Sequence, residues 1–355
     1  MNDRSSNWGA WSLLLVIFSG CVHDEGTQPD AAPTTDAFVT ESPEVDGKTG
    51  ITPPGLVSYL TGNGADVNVS PDGPGLILMG GGPDVDEAFE WWRPKLRGGD
   101  VVVLRTSGAD GYNDYLYSDI GGCDSVETLL VTSRELANSN YVSQRVAQAE
   151  GIFITGGDQA TYLNAWKGTK LEGALQHAWA RGAIVGGTSA GCAVLGEFAY
   201  AAYQGSVFSS EALANPYDPR VTLERDFVDF PPLRSVITDT HFAARDRMGR
   251  LAAFVGRVLE DGWASTVTGL GVDEATALLV ESDGFARVVG DGYVYALDAT
   301  SEPAVCEPGE PLTLRGLSLY ALRAGDTIRL PDGSASVNAE PLDVVEGALS
   351  PVDPY

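Results

Sequence analysis

A serine at a glycine-rich turn, one well-placed histidine and a surplus of carboxylates are the reactive side chains of this sequence. Ala183-Ile184-Val185-Gly186 reads as a strand that runs into Gly187-Thr188-Ser189-Ala190-Gly191, with a helix-compatible stretch following through Tyr203. Gly-x-Ser-x-Gly between strand and helix is the nucleophile-elbow pattern, in which a sharp turn lifts the serine Oγ above the sheet and flanking glycines tolerate tight dihedrals. The helix start behind it offers free N–H groups to developing negative charge.

An unactivated serine is a weak nucleophile and needs a base. The chain has only 3 histidines. His23 lies in a polar N-terminal stretch, and His177 falls off the apolar stripe of its helix. His241 follows the strand-like run Ser235–Asp239, at the end where open α/β sheets place their chemistry. A carboxylate should orient its imidazole. Asp273-Glu274 after the run Ser265–Leu270 is one source, and Asp218, Glu224, Asp226, Asp229 and Asp239 are rivals, which residue type alone does not separate.

Thr155-Gly156-Gly157-Asp158-Gln159 closes another strand, and its adjacent glycines suit an oxyanion hole formed by the N–H groups of Gly157 and Ala190. Gly80-Gly81-Gly82 ends the first strand but lacks dinucleotide-binding spacing, because Val85 stands where the last glycine belongs. Arg245, Arg247 and Arg250 crowd the start of a helix, where cations oppose the helix dipole. That arrangement points to a carboxylate ligand, which guanidinium forks grip bidentately.

The elements that must position these groups alternate. Strand-like runs recur at Leu76–Met79, Val101–Arg105, Thr128–Thr132, Ile152–Thr155, Ala183–Gly186 and Ser235–Asp239. Helical stripes lie between several of them: Val85, Phe89 and Trp92; Leu171, Leu175, Ala178 and Trp179; and Met248, Leu251, Ala252, Val255, Val258 and Leu259. Alternation of this kind predicts βαβ units and a parallel sheet covered on both faces. After about Ala275 short β runs punctuated by Asp-Gly turns predict an antiparallel extension ending in a small β module.

Composition bounds the partners. The 355 residues carry a net charge of −27, against a phosphate-backbone partner and in favour of an acidic, soluble surface. Trp11–Phe18 is an apolar run shorter than the roughly 20 residues that span a bilayer, preceded by Arg4 and followed by Ser19-Gly20-Cys21. Phe18-Ser19-Gly20-Cys21 resembles a bacterial lipoprotein cleavage box, so Cys21 is the expected lipidation site. The domain plan is a signal peptide at 1–20, a flexible acidic, Pro-rich tether at 21–54, a catalytic α/β domain at 55–300, and a small β module and tail at 301–355. The protein is thus expected at the cell envelope, with the lipid anchor as its sole membrane contact. Cys123, Cys192 and Cys306 allow one disulfide at most, without CxxC spacing or a His-rich cluster for a metal.

Four separated motifs carry a family resemblance. Gly156-Gly157-Asp158-Gln159, Gly187-Thr188-Ser189-Ala190-Gly191, Asp239-Thr240-His241-Phe242 with Arg245, Arg247, Gly249, Arg250 and Leu251, and Gly271-Val272-Asp273-Glu274 with Thr276-Ala277 together resemble the cyanophycinases, serine peptidases whose family also holds an aspartyl dipeptidase. The resemblance runs from about Leu76 to Leu297. It implies a flavodoxin-like sheet related to class I glutamine amidotransferases, a homodimer, and a triad of Ser189, His241 and Glu274. It makes Asp158, Gln159, Asp239, Thr240, Arg245, Arg247 and Arg250 substrate-binding positions, requires no cofactor, and implies cleavage of cyanophycin to β-Asp-Arg dipeptides. Two departures stand out: Thr240 occupies a position where cyanophycinases carry Gln, and the stretch 205–232 is longer than the family needs. The competing readings are an α/β-hydrolase-type esterase, whose acid precedes its histidine, and a catalytically idle lipid-anchored binding protein.

Overall fold

A computed structural model describes residues 51–355. The segment expected to form a signal peptide and nearly all of the expected tether, with Cys21 and His23, lie outside the described residues.

Two sheets build the architecture. The strands in chain order are β1 (Val57–Gly62), β2 (Gly75–Met79), β3 (Asp100–Arg105), β4 (Ser125–Leu130), β5 (Gly151–Ile154), β6 (Ile184–Thr188), β7 (Phe198–Tyr200), β8 (Leu223–Arg225) and β9 (Val236–Thr240). They continue as β10 (Val267–Val272), β11 (Thr276–Glu281), β12 (Phe285–Gly290), β13 (Tyr293–Ala299), β14 (Leu314–Arg323), β15 (Thr327–Arg329), β16 (Ser334–Ala335), β17 (Glu340–Val345) and β18 (Ala348–Ser350). The first sheet runs β1-β4-β3-β5-β6-β2-β11-β12-β15-β16 and the second β18-β17-β14-β13-β10-β9-β7-β8. From β4 to β2 all neighbours in the first sheet are parallel. In the second sheet β7, β9 and β10 are parallel, and the remaining pairs are antiparallel.

The parallel strands read as continuous apolar runs because both faces are covered. Leu76, Leu78, Val102, Leu104, Ile152 and Ile154 point to one side, under α3 (Asn140–Gln148), α4 (Gln159–Trp166) and α5 (Lys170–Ala180). Ile77, Met79, Val101, Val103 and Phe153 point to the other, against Phe89 and Trp92 of α1 (Asp86–Trp92). A short α2 (Arg134–Ala137) precedes α3. A third core surrounds α8 (Met248–Glu260), which is buried nearly all round between the second sheet and α7 (Ser209–Ala214). None of the described helices is long and apolar enough to cross a membrane.

Two expectations are corrected. The helix after Ser189 is only α6 (Ala190–Ala193), because Phe198–Tyr200 becomes β7 and pairs with β8 and β9. The run placed at Thr128–Thr132 begins earlier, at Ser125, where the register against β3 starts. Among the described residues Cys123, Cys192 and Cys306 are all unpaired.

Candidate active site

The sheet termini bring three distant residues into one hydrogen-bonded row. Ser189 follows β6 with φ 52° and ψ −118°, a conformation costly for a residue with a Cβ. The turn closes because Gly191 passes the β5 end so tightly that a Cβ there would lie 2.1 Å from the Ile154 carbonyl oxygen. Ser189 Oγ lies 2.8 Å from His241 Nε2, and His241 Nδ1 lies 2.6 Å from Glu274 Oε1. His241 also sits at positive φ, 48°, directly beyond β9. Glu274 follows β10, which runs parallel to β9, so adjacent strands present base and carboxylate at the same edge. The histidine side chain is 12% exposed and the glutamate 40% exposed, so the row is reachable from solvent.

Electrostatics keep the imidazole a base. Burial pushes the His241 pKa below its ordinary value, the Glu274 hydrogen bond opposes this, and Arg245 and Arg247 push it down further. Burial raises Cys123 to about 11, and raises the fully enclosed Cys192 as well.

Of the rival carboxylates, Asp273 is engaged elsewhere: its two oxygens accept from the N–H groups of Ala243 and Tyr293, at 2.8 and 3.0 Å. Asp218 and Asp229 pair with Arg220 and Arg234. Glu224 pairs with Lys167, and Asp226 faces Arg225 at 3.5 Å.

The glycine loops flank the serine. A Cβ on Gly156 would lie 3.9 Å from Ser189 Oγ, while Gly157 backs onto the Tyr162 hydroxyl, which donates to the Gly156 carbonyl at 2.9 Å. Ala190 opens α6, where the first N–H groups have no intrahelical partner. Asp158 caps α4, its carboxylate accepting from Ala160 N–H at 3.0 Å, and Gln159 is the first residue of that helix.

The Gly80–Gly82 loop is the part that sequence reasoning missed. A Cβ on Gly81 would lie 2.5 Å from His241 Cε1 and 3.1 Å from the Ser189 Cβ, and its φ of 94° suits glycine alone. The loop closes over the serine–histidine pair instead of cradling a phosphate. Three adjacent glycines at a strand end were the available signal.

The arginine cluster separates into three environments. Arg245 is exposed beside His241. Arg247 donates to the Thr240 carbonyl at 2.6 Å. Arg250 and Asp239, each 3% exposed in the side chain, form a fork, Nε to Oδ2 at 2.7 Å and Nη2 to Oδ1 at 2.5 Å. Asp239, Thr240 and Arg250 are therefore buried in this chain, with Asp239 and Arg250 engaged with each other. His177 remains half-buried on α5.

An α/β chain with a serine, histidine and carboxylate aligned at the carboxyl ends of its strands has the outline of a hydrolase, and comparison with known proteins narrows that outline. The chain is similar to the cyanophycinases, and residues 113–214 match the model of Peptidase family S51. The cyanophycinase of Synechococcus elongatus is 34% identical over 224 residues, covering 62% of this chain and 64% of that protein. The cyanophycinase of Nostoc sp. is 33% identical over 218 residues, covering 59% and 66% respectively. Among solved structures, a peptidase from an acI-B1 Actinobacterium aligns with a TM-score of 0.48 at 19% identity, over 72% of this chain and 97% of that one.

Proposed function

We propose that this protein is a serine-type peptidase that cleaves aspartyl or arginine-bearing peptide bonds through an acyl-enzyme, releasing dipeptides. The observation that carries the reading is the continuous Ser189–His241–Glu274 row at the carboxyl ends of β6, β9 and β10, with Ser189 and His241 on strained backbone. His241 Nε2 takes the Ser189 proton as Oγ attacks the amide carbonyl, and the Glu274 carboxylate balances the imidazolium. The developing oxyanion rests on the N–H groups of Ala190 and Gly157. The imidazolium returns the proton to the leaving amine, and a water activated by the same ring then cleaves the ester.

Cyanophycin, a polyaspartate whose side chains carry arginine through isopeptide bonds, is the first substrate to test, since each repeat offers a guanidinium to an acidic protein and a free carboxylate to its arginines. Exposed Arg245 is the group assigned to carboxylates of the substrate, and Asp158 and Gln159 are assigned to its cationic and amide groups. On the same reading the sheet is flavodoxin-like, the protein is a homodimer, and Cys21 carries a lipid that holds it in the cell envelope. Labelling with a radioactive fatty acid, lost on Cys21→Ser, tests the anchor.

The full chain should be incubated with cyanophycin and a panel of isoaspartyl dipeptides, and the products read by mass spectrometry. Ser189→Ala should lower turnover by roughly 10⁴-fold or more while melting unchanged. Wild-type turnover by that variant would overturn the assignment. The acid supplied by Glu274 follows His241 in the chain, opposite to the α/β-hydrolase order of the esterase reading.

A further inference from the structure

The backbone around His241 is held on every side. At φ 48° the residue occupies the left-handed region, which strains a side chain with a Cβ, so neighbouring contacts must impose it. Thr240 N–H donates to Asp239 Oδ1 at 2.8 Å, and the Thr240 carbonyl accepts from Arg247 Nη1 at 2.6 Å. His241 N–H donates to the Gly80 carbonyl at 2.8 Å, and Ala243 N–H to Asp273 Oδ1 at 2.8 Å.

Asp239 can hold Thr240 only if its own carboxylate is held, and Arg250 does this with two prongs of its fork. Arg250 is in turn fixed from the far side. Its Nη1 donates to Ser206 Oγ at 3.0 Å and to the Val207 carbonyl at 3.4 Å, and the rings of Tyr200 and Phe254 lie 5.0 and 5.8 Å from the guanidinium carbon. Ser206 and Val207, on the segment between β7 and α7, therefore cover the guanidinium from that side.

We propose that Arg250, acting through Asp239, is a positioning residue that holds His241 in register with Ser189, and that Ser206 and Val207 lock it in that task. The proposal rests on the peptidase reading above. A contact residue and a positioning residue separate in kinetics. Losing a substrate contact raises KM, whereas losing alignment lowers kcat and slows the reaction of Ser189 with any electrophile, charged or not.

The test uses the full chain, a small uncharged fluorophosphonate that acylates activated serines, and steady-state turnover of a peptide substrate. Arg250→Lys keeps a cation but loses the two-pronged grip. It should slow probe labelling of Ser189 and lower kcat in parallel, each by roughly 10–100-fold, as expected for misalignment of about an ångström, with KM little changed. Ser206→Ala removes only the outer hydrogen bond and keeps the fold; it should lower both by roughly 2–10-fold. Melting curves should show both variants folded at the assay temperature. A wild type that resists the probe overturns the peptidase reading and this proposal with it. A wild type that reacts, beside Arg250→Lys and Ser206→Ala variants that react equally fast, overturns the positioning role alone. Should Arg250→Lys fail to fold, unchanged labelling of Ser206→Ala still overturns it.

Discussion

His241 shows how one residue depends on charges it never touches. To accept a proton from Ser189 the imidazole must be neutral, and burial with Arg245 and Arg247 holds its pKa below the usual value. Activity should therefore be level above pH 6.5, the ordinary histidine value, and fall as pH drops through the lowered one. Arg245→Gln removes a repelling charge, so the His241 pKa should rise and the acidic limb of the kcat/KM profile should move to higher pH. A limb unmoved or shifted downward would refute this account. Ser189 and His241 were legible as candidates because Gly-x-Ser-x-Gly and a three-histidine chain leave few choices. Glu274 was not separable by residue type, since its rivals are excluded by their salt bridges and hydrogen bonds, which exist only in the folded state.

At the level of elements, the turn from β6 into α6 depends on close approach of two backbones. Gly191→Ala would drive a methyl group to 2.1 Å from the Ile154 carbonyl, so α6 must shift outward. The expected cost is about 1–3 kcal/mol in urea unfolding, with Ser189 labelling by an acylating probe falling as the serine leaves line. An alanine variant as stable and reactive as wild type would show that the contact is soft. The buried parallel strands were readable as apolar runs because both their faces are covered, and α8 was readable from apolar residues recurring at helical spacing. The strands β1, β7 and β8 were not: β1 and β8 are partly exposed at sheet edges, and β7 is only 3 residues long. The helix forecast through Tyr203 failed because pairing with β8 and β9 outweighs local helical preference.

For the whole molecule the dominant feature is a charge of −27, which repels itself across the surface. Salt shortens the Debye length to about 10 Å at 0.1 M and about 3 Å at 1 M, so long-range repulsion weakens first. The melting temperature should rise between 10 and 200 mM sodium chloride, as order-of-magnitude ionic strengths that span this screening range. A flat or falling Tm would mean that attractive pairs, such as Arg145–Glu127 and Arg181–Glu150, outweigh the net repulsion.

Composition, periodicity and four short motifs determine a mixed α/β chain, a serine at a strand-to-helix turn and the histidine able to serve it. These properties follow from local spacing and from which residues can be buried, and both are written along the chain. Only the tertiary structure decided that Glu274 completes the row, that the Gly80–Gly82 loop closes over it, and that Arg250 turns inward to Asp239 instead of outward to a ligand. Those outcomes depend on contacts between segments tens of residues apart, where the energy of a charge or a methyl group is set by what packs against it.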